Sequence, residues 1–226
     1  MTHISGYEAV KAPKAIFVGA IVSAIAVYVI LSWRSLEHVS QAGFWFENVT
    51  FESPHLVAAG YGGPLTEAEA RIIQEVARSE VKAAFAGLRI RFSEDREAFY
   101  RVRVVQEFGP GIRGAAGASR VIAPIGGNGS VNYLMLSSQA VSHAPQGADR
   151  SAVVQAIGRG VGRAAVHEFL HQMLPRLNIH DSKDDRSYEY AYSSRPAQYY
   201  GDMRWDIARP ALLERFGDVQ KHQDAR

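Results

Sequence analysis

Two histidines one helical turn apart, near the end of a long helical stretch, constrain this chain more than any other feature. Between Ser151 and Leu174, the residues Val154, Ile157, Val161 and Ala164 or Ala165 recur at helical spacing, which marks an apolar stripe on a helix. Ser151 is placed to cap its start. Pro175 ends it, because proline lacks the amide and clashes with the preceding turn. Gly158, Gly160 and Gly162 lie inside, each costing about 1 kcal/mol against alanine; bare backbone there would let the helix lie close against a sheet. On the last turns stands His167-Glu168-Phe169-Leu170-His171. The four-residue spacing puts both imidazoles on one face, where both can reach one zinc ion at about 2.0–2.1 Å. Glu168 leans toward the same cleft, placed to take a proton from a water polarised by the ion. In a chain of 226 residues, a chance H-E-x-x-H has a probability on the order of one per cent.

Upstream, the pattern alternates between strands and helix. Phe44 to Phe51 is aromatic and β-branched and reads as a strand. Thr66 and Glu69 form a capping box that opens a helix running to about Ala86, with Gly87 at its C-terminal cap. Leu88, Ile90 and Phe92, then Tyr100, Val102 and Val104, alternate with polar residues at period two, as half-buried strands do. The arginines between them, Arg89, Arg91, Arg101 and Arg103, read as the solvated side of a sheet. Arg120 to Ile125 and Val131 to Leu136 are expected to pair as a hairpin around Gly126-Gly127-Asn128-Gly129. That turn lacks the Lys-Ser/Thr ending of a phosphate loop.

The chain contains no cysteine, so a metal here must be held by histidine, carboxylate or main-chain oxygen. A net charge of +2 is too small to argue for a nucleic-acid partner. With this motif the chain resembles the zincin metallopeptidases. The order of strand, helix, several strands and motif helix looks like their metzincin branch. The resemblance implies an α/β (α+β) fold, a twisted mixed sheet packed on two long helices. It also implies peptide or protein substrates, with Glu168 as general base and a zinc ion on His167, His171 and a third ligand. Metzincins place a glycine turn and a third histidine six residues after the second; Leu174 and Leu177 stand at those positions here. His180 comes three residues later, and Asn178, which tolerates a left-handed backbone, could turn the chain back to bring it to the metal. Glu189, at a gluzincin-like separation, and Asp181 are the alternatives, and Asp181 could instead orient a ligand imidazole.

Further downstream, Tyr188, Tyr190, Tyr192, Tyr199 and Tyr200 offer hydroxyls that could stabilise an oxyanion. Met203 falls where metzincins place a methionine beneath the metal. Asp202 could cap a last helix running through Trp205 and Leu213. By analogy with the family, the strand near Val131–Leu136 would align an extended substrate by edge pairing. Two other readings remain open: a zinc hydrolase of a non-peptide amide, using the same ligands, and a non-catalytic anchored binding module with a structural zinc, for which a closed four-ligand sphere is expected.

Ala15 to Trp33 is an uncharged run of about 19 residues, spanning roughly 28 Å as a helix. No small-x-small site follows it, so it reads as an uncleaved signal anchor. Lys11 and Lys14 precede it and Arg34 alone follows closely, which puts the N-terminus in the cytoplasm and the large domain on the extracytoplasmic side. The expected organisation is a tail at 1–14, a transmembrane anchor at 15–33, a linker at 34–43 and the zincin-like domain at 44–226. Oligomeric state is not legible.

Overall fold

In the computed structural model of the chain, the described residues are 39–112, 114–121 and 126–217. The chain divides into two units, Met1–Val39 and Ser40–Arg226, and the fold described below is that of the second. The apolar run expected to be an anchor lies outside the described residues; among the described residues, no helix is long and apolar enough to cross a membrane.

Alternating apolar residues produce a single sheet. Its strands are β1 (Ser40–Phe46), β2 (Ile90–Ser93), β3 (Tyr100–Val105), β4 (Gly117–Val121) and β5 (Gly127–Asn132), in the order β2-β1-β3-β5-β4. The first three neighbour pairs are parallel, and only β4 runs antiparallel to its partner. Along β3, Tyr100, Val102 and Val104 are buried while Arg101 and Arg103 are partly exposed, as the period-two pattern predicted. The helices are α1 (Pro54–Ala58), α2 (Glu67–Ala84), α3 (Tyr133–Ser142), α4 (Arg150–Met173), α5 (Ala197–Tyr200) and α6 (Ala208–Phe216). The described residues form a mixed α/β fold with one five-stranded mixed sheet and two long helices, α2 and α4.

The two long helices are locked together at their starts. In the capping box, the Glu69 amide donates to the Thr66 hydroxyl at 3.2 Å and the Thr66 amide to the Glu69 carboxylate at 2.8 Å. Arg150, the first residue of α4, donates to both oxygens of that carboxylate at 2.6 and 2.9 Å, and to the carbonyls of Tyr61, Gly63 and Pro64. Further along, Arg163 pairs with Glu80 at 2.9 Å, so the helices run side by side in one direction. Gly158 and Gly162 make that approach possible: a Cβ there would fall 2.8 Å from the Ile73 carbonyl oxygen and 2.6 Å from that of Ala77. The bare backbone of α4 therefore faces α2, and Gly160 faces the Tyr199 ring, not the sheet as expected. Glycines of the sheet serve its contact with α4, since Gly117 lies under Glu168, and Gly127 and Gly129 lie under Gln172.

Several element boundaries differ from expectation for identifiable reasons. β1 begins at Ser40, inside the expected linker, and stops at Phe46 because Asn48 and Phe51 adopt positive φ, 52° and 57°. β4 and β5 do pair antiparallel, but β4 is Gly117–Val121 and not Arg120–Ile125, of which 122–125 lie outside the described residues. Gly127 and Gly129 belong to β5, paired with Val121 and Ser119. The apolar run from Val131 to Leu136 is split. Asn132 ends the strand and its side chain accepts from the Met135 amide at 3.1 Å, starting α3. Short apolar runs fit either a strand or a buried helix, and here the cap decided. α4 is capped by Asp149, whose carboxylate accepts from the Ala152 amide at 2.7 Å, and Ser151 lies within the helix. The core lies between sheet and helices. Phe44, Val102, Val104 and Val131 face Ile73, Ala77, Val161, Ala165 and Phe169, all in one buried cluster, each large side chain contributing about 1.5–3 kcal/mol of burial.

Candidate metal centre

The last turns of α4 leave the core with one face turned toward a cavity of about 380 Å³. After Met173 the chain reverses through successive tight turns, in which Leu177 donates to Leu174 and Ile179 to Leu177, and ends in a short 3-10 turn, Ile179–Asp181. Asn178 has φ −78°, so the reversal uses no left-handed residue there. Ile179 is buried and anchors the turn, leaving His180 free to point back toward α4.

One nitrogen from each of His167, His171 and His180 lies within 4.8 Å of the others, the one such group of potential ligands among the described residues. The Nε2 atoms of His167 and His180 are 3.0 Å apart. Their rings are near parallel at 9°, and both stand almost perpendicular to His171, at 83° and 89°. His167 Nδ1 donates to the Tyr188 carbonyl at 2.9 Å, which fixes the ring and leaves Nε2 as the free nitrogen of a neutral imidazole. Burial pushes His167 down to about 3, opposed by the Tyr188 carbonyl and reinforced by the neighbouring His171 and His180. His171 is lowered for the same reason, burial first and His180 second. Neutral imidazoles are the metal-binding form.

Glu168 is 4% exposed and its Oε2 has no hydrogen-bond partner. Burial pushes its carboxyl up to about 7, with the nearby Ser119 hydroxyl acting the other way. The carboxylate fits only because residue 117 is glycine: a Cβ there would sit 2.2 Å from Oε1. Ser119 donates to the Glu168 carbonyl at 3.0 Å, tying β4 to the helix turn that carries the motif. Three convergent imidazole nitrogens beside an unpartnered buried carboxylate oxygen fit a bound cation, since buried polar atoms rarely remain unpaired. Without thiolates, an all-nitrogen set of this kind suits zinc.

The remaining sequence candidates are placed elsewhere. Glu189 is fully buried, and its carboxylate accepts from the amides of Asp206, Ile207 and Ala208, at 2.8 to 3.3 Å, and from the Ser187 hydroxyl. It caps α6, the role expected of Asp202, and both oxygens are occupied. Asp181 is exposed and accepts from Asn178 at 2.7 Å; the Tyr188 carbonyl, not Asp181, orients a histidine. The Tyr199 hydroxyl donates to Gln139 and that of Tyr200 to the Ala140 carbonyl, while Tyr190 and Tyr192 line the cavity. Met203 packs partly buried against the core. The strand along the cavity is β4, an edge of the sheet with no second neighbour among the described residues; β5, containing Val131, is paired on both sides and cannot accept an added strand. Gly117, Ser119 and Arg195 also contribute to the cavity, and no spacing in the sequence marks them.

No family model, curated protein or solved structure matches the chain.

Proposed function

We propose that the chain is a zinc-dependent hydrolase of peptide bonds, a zincin-like metallopeptidase tethered to a membrane by residues 15–33 with its catalytic domain on the extracytoplasmic side. The observation that carries this reading is the convergence of the His167, His171 and His180 nitrogens within 4.8 Å, beside the unpartnered Oε2 of Glu168. A closed structural site would need a fourth protein ligand, and no further His, Asp or Glu joins these three among the described residues.

A zinc ion on the three imidazoles would act as a Lewis acid toward a substrate carbonyl and a water. Glu168 takes a proton from the attacking water at its free oxygen and passes it to the leaving amine as the carbon–nitrogen bond breaks. Its burial keeps competing solvent away, and Gly117 leaves it the room to act. The free edge of β4 runs along the cavity, so an extended peptide can pair with it through main-chain hydrogen bonds. Tyr190 and Tyr192, which line the cavity, are the candidate donors to the developing oxyanion.

The test is zinc stoichiometry alongside peptide hydrolysis. Wild type and Glu168→Gln are expected to bind one zinc each, with hydrolysis lost only in the variant, and His180→Ala to lose zinc. A Glu168→Gln protein that still cleaves peptides, or a His180→Ala protein that still binds zinc stoichiometrically, overturns the assignment.

A further inference from the structure

Two buried arginines line the cavity, and only one is in a contact ion pair. Arg163 is 6% exposed, pairs with Glu80, and donates to the carbonyls of Ala197, Gln198 and Gly201. Arg195 is likewise 6% exposed and lines the same cavity. Its Nη2 donates to the Ser187 carbonyl at 2.8 Å and to Gln198 Oε1 at 3.0 Å, but Nε and Nη1 have no hydrogen-bond partner. Among the described residues no carboxylate forms a contact ion pair with it: Asp185 and Asp184 act on it only through space, and Asp184 is paired with Arg204. The Tyr190 ring covers the guanidinium with its centroid 4.8 Å away, and that ring is itself part of the cavity wall.

A buried guanidinium with two unpartnered nitrogens and no contacting carboxylate is unfavourable unless something supplies the missing acceptor, and its planar fork matches a carboxylate. We propose that Arg195 is the base of a carboxylate-binding subsite beside the histidine cluster, reached when the Tyr190 ring swings aside. The substrate is then a peptide with a carboxylate close to the scissile bond, either the free C-terminus or an acidic side chain. The substrate class rests on the metallopeptidase reading; the subsite itself does not.

The experiment measures binding to zinc-loaded Glu168→Gln, which removes turnover from the readout. One peptide is titrated as the free acid, as the C-terminal amide, and as the amide with a glutamate introduced near its end. At least one carboxylate form is expected to bind about 10- to 100-fold more tightly than the plain amide, and the form that does so identifies the source. Adding Arg195→Gln should abolish the difference, and Arg195→Lys should retain part of it. Measurable but equal affinity for all three peptides overturns the proposal, and this arm stands even if the Arg195 variants fail to fold. Succinate, followed by thermal shift on wild type and Arg195→Gln, separates the two readings. Stabilisation that depends on Arg195, with no peptide binding, keeps the subsite and sinks the peptide substrate. Peptide binding indifferent to carboxylates does the reverse.

Discussion

Glu168 and Glu189 are both buried carboxylates in the part of the chain that builds the candidate site, and they are treated in opposite ways. Glu189 is surrounded by donors, with three backbone amides and a hydroxyl holding its two oxygens at the start of α6. Glu168 stands over a glycine with one oxygen unpartnered. A buried carboxylate with every lone pair engaged stabilises the fold, whereas one left unsatisfied lowers stability and remains available for chemistry. The contrast separates the residue that supports the site from the residue proposed to act in it.

The largest effect is expected at Glu189. Glu189→Ala strips the acceptor from the amides of Asp206, Ile207 and Ala208 and loosens α6, whose Leu212 and Phe216 are buried in the core. A loss of about 3–5 kcal/mol in denaturant unfolding is expected. A variant within about 1 kcal/mol of wild type would break the comparison, because Glu189 would then be dispensable to the fold.

Gly117→Ala tests the other side. A Cβ at that position would meet the Glu168 side chain, 2.2 Å from Oε1 and 2.8 Å from Cδ. The carboxylate must move, at about 1–2 kcal/mol of overpacking. Peptide hydrolysis should fall far more than stability does, and zinc stoichiometry should hold. Equal hydrolysis in variant and wild type would mean that the position of Glu168 does not matter.

Glu69 adds a third kind of carboxylate, one held in the ionised state. The hydrogen bond from Arg150 is the main cause keeping its carboxyl down at about 2. Because folding lowers this pKa from 4.5, its stabilisation is present above about pH 4.5 and disappears as pH falls toward about 2. The contribution is about 1 kcal/mol once solvent screening is allowed for. Thermal unfolding of Glu69→Gln should therefore sit below wild type at pH 7, the two converging between pH 4.5 and 2. A gap that stays constant through that window would show that the pair stabilises by shape and not by charge.

Features local in sequence were legible; those depending on what lies opposite were not. The Thr66–Glu69 box, the motif helix and the period-two strands are written in spacings of two to four residues, and they form as read. His180 was legible as a candidate because it stands close behind the motif in a turn-forming stretch. The roles of Glu189, Gly117 and Arg195 depend on α6, on α4 and on guanidinium nitrogens left without acceptors, none of which is encoded near them. The glycines of α4 were recognised as close-approach positions, but the partner turned out to be another helix. Which surface a bare backbone meets is a tertiary fact, and the sequence pattern of a helix buried on nearly all sides cannot assign it.

The smallest stability effect is expected where the chemical effect is greatest. Glu168→Gln replaces a carboxylate whose Oε2 accepts no hydrogen bond with a neutral group of nearly the same shape. No native partner is orphaned at that oxygen, and the desolvation of a buried charge is relieved. Unfolding free energy should therefore stay within about 0.5 kcal/mol of wild type or rise, while hydrolysis falls by about 10²- to 10⁴-fold, the usual worth of a positioned acid–base group. Denaturant unfolding and peptide hydrolysis on the same preparation decide the matter. A marked drop in stability would place Glu168 with Glu189 among the residues that hold the fold, and the division between the two carboxylates would disappear.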